Sequence, residues 1–161
     1  MIILIVGECG VGKTWVMSQL LKEQEAKTHK LGKFLFHETL DYIVIGKYDG
    51  SVFQGSDRLS MSVMTDLDKM LRYVHSLDKI AVFEGDRFMN KNFIKKAKPL
   101  IIKILGDGKG GRFKRGSNQT ERQLKTIKTR VSNIKNNIET ANSNECLQII
   151  KSYENNQTPT S

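Results

Sequence analysis

The chain has 161 residues, enough for one domain with a sound core and too few for two of comfortable size. Its net charge of +9 is uneven, since residues 1–86 carry 10 basic and 12 acidic side chains and residues 87–161 carry 16 and 5. A basic half of this size favours a polyanionic partner such as nucleic acid, although many basic proteins have none. Two cysteines in no metal or redox pattern argue against a disulfide scaffold, and the apolar start lacks the basic region of a signal peptide. We therefore expect a cytoplasmic protein with no membrane partner.

Short apolar runs alternate with helical patterns along the chain. Strands are predicted at residues 2–6, 34–38, 42–46, 80–83 and 100–105, and helices at about 13–26, 61–75 and 118–138. The second and third strands are close enough to form a hairpin. The alternation predicts a three-layer α/β fold with a mainly parallel sheet of about five strands, forming a single domain over residues 1–161. Residues 152–161 have the composition of a frayed tail.

The strongest motif is GECGVGKT at residues 7–14, which fits the phosphate-loop pattern G-x-x-x-x-G-K-[ST] between a strand and a helix. Glycines at this spacing let backbone N–H groups surround an anion at the start of a helix. Lys13 would reach the β- and γ-phosphates, and the Thr14 hydroxyl would hold Mg²⁺. No N-K-x-D motif of a GTPase is present, which favours ATP. The residues expected to bind ATP are Gly7, Gly10, Val11, Gly12, Lys13, Thr14 and Trp15.

A second acidic site follows the predicted strand at residues 80–83, in KIAVFEGDRF. Glu84 and Asp86 come at the carboxyl end of this strand, where open α/β sheets bind ligands. We predict Glu84 as the second metal-side group, because a carboxylate there can orient Mg²⁺ or its waters. Arg87 would neutralise the acidic pair or touch phosphate. The alternative is a strand that simply ends in a polar turn.

Residues 106–130, GDGKGGRFKRGSNQTERQLKTIKTR, begin with four glycines in six residues and continue with cations. This pattern predicts a mobile basic lid over residues 106–122 that excludes water when it closes. Arg112, Arg115 and Arg122 are the candidates for stabilising the charge of a transferring phosphoryl group. The alternative is a solvated basic helix with a loose loop before it.

Between residues 46 and 61 the stretch GKYDGSVFQGSDRLSM is dense in glycines, carboxylates, cations, hydroxyls and aromatic rings. Asp49 and Asp57 are candidate general bases for an acceptor hydroxyl, with Asp49 preferred. Each residue taken alone is explained at least as well by turn or capping chemistry. Together they predict an acceptor site, whose expected contact residues are Lys47, Tyr48, Phe53, Gln54, Ser56 and Arg58, with Asp86 and Arg87 from the neighbouring strand end.

The phosphate loop, GKYDGSVFQGSDRLSM, FEGDR and RGSNQTERQLKTIKTRVSNI together resemble the small phage-encoded P-loop kinases, in particular the DNA 5-hydroxymethyluracil kinases. The resemblance spans residues 2–138. It implies an ATP- and Mg²⁺-dependent enzyme of the phage-infected host cytoplasm that phosphorylates the hydroxymethyl group of a modified pyrimidine in DNA. Two other functions remain open from the residues themselves: a nucleoside or nucleotide kinase with a free acceptor, and a nucleic-acid-associated ATPase without kinase activity.

Overall fold

The structure is a computed structural model that describes residues 1–50, 54–110 and 120–154. The strands of its sheet are β1 (Ile2–Gly7), β2 (Lys27–Leu31), β3 (Phe34–Glu38), β4 (Tyr42–Ile45), β5 (Ile80–Glu84), β6 (Leu100–Ile104) and β7 (Ile138–Thr140). Their order across the sheet is β2-β3-β4-β5-β1-β6-β7. Strands β4, β5, β1, β6 and β7 pair in parallel, whereas β2 and β3 form antiparallel pairs. The mainly parallel sheet is thus confirmed, with seven strands instead of about five.

The α-helices that lie wholly within the described residues are α1 (Lys13–Leu20), α2 (Leu67–His75), α3 (Lys91–Ala97), α4 (Glu121–Asn133) and α5 (Ser143–Ser152). They cover the two faces of the sheet. Ile3 and Ile5 of β1 share a core with α1 and α5, whereas Leu4 and Val6 share the other core with α2, α3 and α4. This alternation places both faces of the central strand in apolar cores, as expected for a buried parallel strand. The predicted three-layer α/β arrangement is confirmed.

Several element boundaries differ from the prediction. The first helix ends at Leu20 instead of residue 26, because the Gln24 side chain pairs with Asp41 at the start of β4 and the chain then forms edge strand β2. The predicted helix at residues 61–75 begins as a 3-10 turn, Val63–Asp66, before α2. Helices α3 and α5 and the edge strands β2 and β7 were not predicted.

Most of the predicted lid, residues 111–119, lies outside the described residues, as does the tail from residue 155. Helix α4 follows this segment and begins with a capping box, in which the Thr120 hydroxyl accepts from the Gln123 amide and the Gln123 side chain accepts from the Thr120 amide. Within the part of the chain that the structure describes, no helix is long and apolar enough to cross a membrane.

Candidate active site

The carboxyl ends of the parallel strands meet at one edge of the sheet, where open α/β sheets bind ligands. The phosphate loop leaves β1 at this edge, and the segment 84–88 leaves β5. The loop after β4, residues 46–59, and the glycine-rich segment after β6 also begin there. The topology therefore brings the motifs that the sequence singled out to one side of the molecule.

The phosphate loop is held open by two glycines with positive φ. Gly10 has φ 90°, and Gly12 has φ 103° at the N-cap of α1, where no side chain caps the helix. A Cβ on Gly12 would lie 2.8 Å from Cβ of Ser143, so this turn packs directly against the start of α5. The Lys13 ammonium donates to the carbonyl oxygens of Gly7 at 2.8 Å and Glu8 at 3.0 Å. Lys13 is thus folded over the loop whose anion it was predicted to contact.

Glu84 is the buried acid at the centre of this edge, with 4% of its surface exposed. Its Oε1 accepts from the Tyr48 hydroxyl at 3.2 Å and from the Ser56 amide at 3.5 Å. Burial raises the pKa of the Glu84 carboxyl, and the nearby charge of Asp57 raises it further, whereas Lys13 opposes both effects. Glu84 is therefore an acid whose ionisation depends on a nearby cation.

Thr14 and Glu84, the two residues predicted to hold Mg²⁺, face the same point. A Cβ added to Gly55 would lie 2.9 Å from Glu84 Oε1 and 3.5 Å from Thr14 Oγ1, so both oxygens flank the backbone of Gly55. A hydroxyl and a carboxylate oxygen suit Mg²⁺, which binds a few protein oxygens together with phosphates and waters. Among the described residues there is no cluster of three or more His, Cys, Asp or Glu side chains that would form an all-protein metal cage. The residues present fit a metal shared with a nucleotide.

The 46–59 loop is closed at its base by backbone hydrogen bonds between Lys47 and Gly55, at 3.2 and 2.7 Å. Gly55 has φ 116°, a conformation that favours glycine, and the Glu84 carboxylate leaves no space there for a side chain. The Gln54 side chain accepts from the Gly50 amide and donates to the Ser18 hydroxyl of α1 at 3.5 Å. The loop is therefore fastened both to itself and to the helix that follows the phosphate loop.

Two residues predicted to contact the acceptor are buried instead. The Tyr48 ring is 9% exposed and packs edge-on to His37, with ring centroids 6.0 Å apart, while its hydroxyl reaches Glu84. Ser56 is 1% exposed. The prediction that Tyr48 offers a stacking face and Ser56 an edge contact is corrected, because both side chains turn inward. Phe53, the other predicted aromatic face, lies outside the described residues.

Within the described residues Arg87 forms no ion pair with Glu84 or Asp86, so it does not neutralise the acidic pair as predicted, and its contacts are to the 56–61 segment. Its guanidinium donates to the backbone oxygens of Ser56 at 3.1 Å and Asp57 at 3.2 Å, and it contacts the Met61 sulfur. Arg87 therefore braces the 56–61 segment against the end of β5. The Asp86 carboxylate pairs with a different cation, Arg130 of α4, at 2.5 Å.

The two candidate bases occupy different parts of the 46–59 loop. Asp49 is 42% exposed, lies 3.7 Å from the Lys47 ammonium and acts electrostatically on His37. Asp57 is exposed and acts on Glu84. Arg58 is also exposed, and the Trp15 ring is 42% exposed beside the phosphate loop. Asp49, Arg58 and Trp15 remain accessible to a ligand.

The segment after β6 lies directly on the phosphate loop. A Cβ on Gly108 would fall 1.8 Å from the Cys9 carbonyl oxygen, and Gly108 has φ 64°. The predicted phosphate contacts Arg112 and Arg115 lie outside the described residues. Arg122 is exposed in the first turn of α4. The helix reaches the end of β5 through Arg130 of its last turn, which pairs with Asp86.

His37 and Arg130 belong to this region, although the sequence did not single out His37 and marked Arg130 only as one cation of the 106–130 segment. His37 binds the Tyr48 amide, and Arg130 binds Asp86. Both contacts join residues from different elements; His37 is a polar residue in a largely apolar strand, and Arg130 is one of several exposed cations of α4.

No protein-family model matches this chain, and no curated protein matches it. Among solved structures the chain is similar to the crystal structure of shikimate kinase from Aquifex aeolicus, with 17% sequence identity over 97% of this chain and 98% of that chain and a TM-score of 0.49. A likeness of this size leaves the function to be argued from the residues of the chain itself.

Proposed function

We propose that the protein is a P-loop kinase that transfers the γ-phosphoryl group of ATP to a hydroxyl acceptor. The observation that carries this proposal is the meeting of three segments at Gly55, which lies against both Thr14 of the phosphate loop and Glu84 at the end of β5. Phosphoryl transfer needs this arrangement, because nucleotide phosphates, metal-side oxygens and acceptor loop must share one small volume.

The residues would divide the work as follows. The backbone N–H groups of the phosphate loop and the N-terminus of α1 hold the phosphates, and Lys13 moves from the carbonyls of Gly7 and Glu8 onto the β- and γ-phosphate oxygens. Thr14 and Glu84 would hold Mg²⁺, which supplies neutralisation of the phosphate charge. A cation there would also favour the ionised form of Glu84 over its buried neutral form.

On the acceptor side, Asp49 takes the hydroxyl proton, with Asp57 as the alternative base. Both are exposed enough to meet a ligand. Arg122, together with Arg112 and Arg115 outside the described residues, would face the transferring group and stabilise its charge. Trp15 and Phe53 would supply flat surfaces, and Lys47 and Arg58 polar contacts.

We further propose that the acceptor is a hydroxymethyl pyrimidine within DNA, such as 5-hydroxymethyluracil, as the resemblance to the phage enzymes implies. Supporting this are the exposed cations Arg122, Lys125 and Lys128 on α4. Along the helix axis Arg122 lies about 12 Å from Arg130, which contacts Asp86 at the end of β5. Within the described residues, Arg122 and Lys125 take no part in either apolar core, so their side chains can hold phosphates beside the site.

The test is transfer from γ-labelled ATP and Mg²⁺ to four acceptors in parallel: DNA containing 5-hydroxymethyluracil, unmodified DNA, nucleosides and nucleotides. We expect label in the modified DNA alone. Label only in a free nucleoside or nucleotide would keep the kinase and remove the DNA acceptor. Consumption of ATP with no labelled acceptor would contradict the kinase proposal itself.

A second measurement isolates the DNA surface. For duplex DNA, the slope of the logarithm of the binding constant against the logarithm of the salt concentration measures the number of phosphate contacts. Replacing Arg122, Lys125 and Lys128 by Gln should reduce the size of this slope by about 2 to 3, since each lost contact removes about 0.9. The matched control replaces Lys22, Lys27 and Lys30, which are also exposed and lie in or near the edge strand β2. An equal change of slope in both variants would show only a general effect of net charge.

A further inference from the structure

His37 joins the antiparallel part of the sheet to the 46–59 loop. Along β3, Phe34 and Phe36 enter one core, so His37 faces the other side. Its Nε2 accepts from the Tyr48 amide at 3.1 Å, and its Nδ1 lies 3.0 Å from the Thr28 hydroxyl oxygen of β2. The imidazole therefore spans the gap between β2 and the first turn of the loop.

These contacts define the protonation state of the ring. Because an amide N–H donates to Nε2, that nitrogen carries no hydrogen, and the ring proton lies on Nδ1, where it donates to Thr28. Protonation of Nε2 would set two donors against each other and remove the bond to Tyr48. Burial lowers the pKa of His37, in the direction expected for a ring held neutral.

The charged groups around His37 come from two elements. Asp49 in the loop favours the protonated ring, and Lys47, 3.7 Å from Asp49, offsets that attraction. On β2, Lys30 lies on the same face as His37, one pair along the ladder. On β4 the residue paired with His37 is Val44, which is uncharged. Glu38, the next residue of β3, points to the opposite face toward Tyr73.

Tyr48 links His37 to Glu84. Its amide is held by His37, and its hydroxyl reaches Glu84 Oε1 across the strand ends. We propose that His37 is a positioning residue. Its neutral imidazole holds the base of the 46–59 loop in place, which we call the seating of the loop, and thereby keeps the Tyr48 hydroxyl on Glu84 and the Gly55 backbone beside Thr14. This inference rests on the proposed function for its effect on phosphoryl transfer, but the seating itself does not.

The sign of the pH effect follows from the lowered pKa. The seated loop binds His37 in its neutral form, so the stabilisation is complete above the ordinary histidine value of about 6.5. It is lost as the pH falls through the lowered pKa of the seated state. The rate of phosphoryl transfer should therefore decrease at acidic pH as His37 becomes protonated.

Two substitutions separate the contacts. His37→Gln places a non-titrating acceptor near the position of Nε2. His37→Asn reaches only the position of Nδ1, so it can keep the hydrogen bond with Thr28 but loses the one with the Tyr48 amide. We expect the transfer rate of His37→Gln at pH 8 to be within about threefold of the wild-type rate. The decrease in rate at acidic pH that protonation of His37 causes should be absent from this variant. His37→Asn should be about two- to tenfold slower at every pH, with the ATP dissociation constant unchanged in both. Equal rates for the two variants, or an unchanged decrease in rate at acidic pH in His37→Gln, would overturn the proposal.

The Tyr48 amide gives a readout that needs no substrate. In ¹H–¹⁵N spectra its shift should titrate together with the His37 ring in the wild type, and this titration should vanish in His37→Gln. A titrating amide in a protein that labels no acceptor would refute the proposed function and retain the seating. A Tyr48 amide that ignores the His37 titration would refute the seating, whatever the enzyme phosphorylates.

Discussion

The substitution Tyr48→Phe removes one hydroxyl from the centre of the site and leaves the ring in place. That hydroxyl donates to Glu84 Oε1 at 3.2 Å, and Glu84 is 4% exposed, so no water replaces the lost donor. Hydrogen bonds to charged groups contribute about 1.5–3 kcal/mol, and 3.2 Å is long for a hydroxyl on a carboxylate. We therefore expect a loss of about 1.5 kcal/mol in the free energy of unfolding, or about 3–6 °C in Tm for a chain of this size.

The same loss should shrink when the acid is made neutral. In a Glu84→Gln background the Tyr48 hydroxyl still finds an oxygen, but a neutral one, for which the contribution is about 0.5–1 kcal/mol. The double-mutant cycle should thus give a coupling of about 0.5–1 kcal/mol. It should be measured at pH 8, because burial raises the pKa of Glu84 and the charged form is more populated at higher pH.

Urea unfolding followed by far-ultraviolet circular dichroism and by the fluorescence of Trp15, the single tryptophan, would supply the free energies and check two-state behaviour. Tyr153→Phe is the control, since Tyr153 packs against the same core as Tyr48 and its hydroxyl makes no hydrogen bond to the described residues. It should change the unfolding free energy by less than about 0.5 kcal/mol. A Tyr48→Phe loss that is the same in the wild type and in the Glu84→Gln background, within about 0.3 kcal/mol, would refute the hydroxyl–carboxylate contact.

Four further outcomes are expected. Gly55→Ala, which combines φ 116° with a Cβ 2.9 Å from Glu84, should cost at least about 1 kcal/mol more in urea unfolding than Gly50→Ala, where φ is 82° and the space is open. Lys13→Ala should abolish transfer with an unchanged circular dichroism spectrum; retained transfer would mean that ATP binds elsewhere. Asp49→Asn should lower turnover far more than ATP affinity, whereas a collapse of ATP affinity would place Asp49 on the metal side. Arg130→Gln, which removes a half-exposed ion pair with Asp86, should cost less than about 1 kcal/mol, and a larger loss would show that the pair anchors α4.

The parts of the fold that local chemistry dictates were predictable from sequence. Buried parallel strands are continuous apolar runs, and β1 and β5 are of this kind, with every residue buried. Strand β2, KTHKL, is polar and lies at the edge, so only its pairing with β3 marks it as a strand. The end of α1 was missed for a related reason. Good helix-forming residues continue to Ala26, but a contact between Gln24 and Asp41, 17 residues away, ends the helix.

The site divides in the same way. The phosphate loop and Glu84 could be proposed from sequence because their chemistry requires particular residues at short spacing beside a strand end, and the structure places them at one edge of the sheet. The direction of Tyr48 could not be proposed, since its ring is turned inward by Glu84, 36 residues further along the chain. A run of polar and aromatic residues indicates a loop that could bind a ligand, but long-range contacts decide which of its side chains face outward.

The different surroundings of the two candidate bases determine what each substitution can reveal. Asp57 raises the pKa of Glu84, so removing its charge would alter the proposed metal-side acid as well as the proposed acceptor side. A slow Asp57→Asn enzyme would therefore not identify the base. Asp49 pairs with Lys47 and acts on His37 instead, which places its charge in the outer part of the loop. The kinetics of Asp49→Asn accordingly report on proton removal with less disturbance of Glu84, and the Tyr48 amide would reveal any loss of loop seating that Asp49→Asn causes through His37.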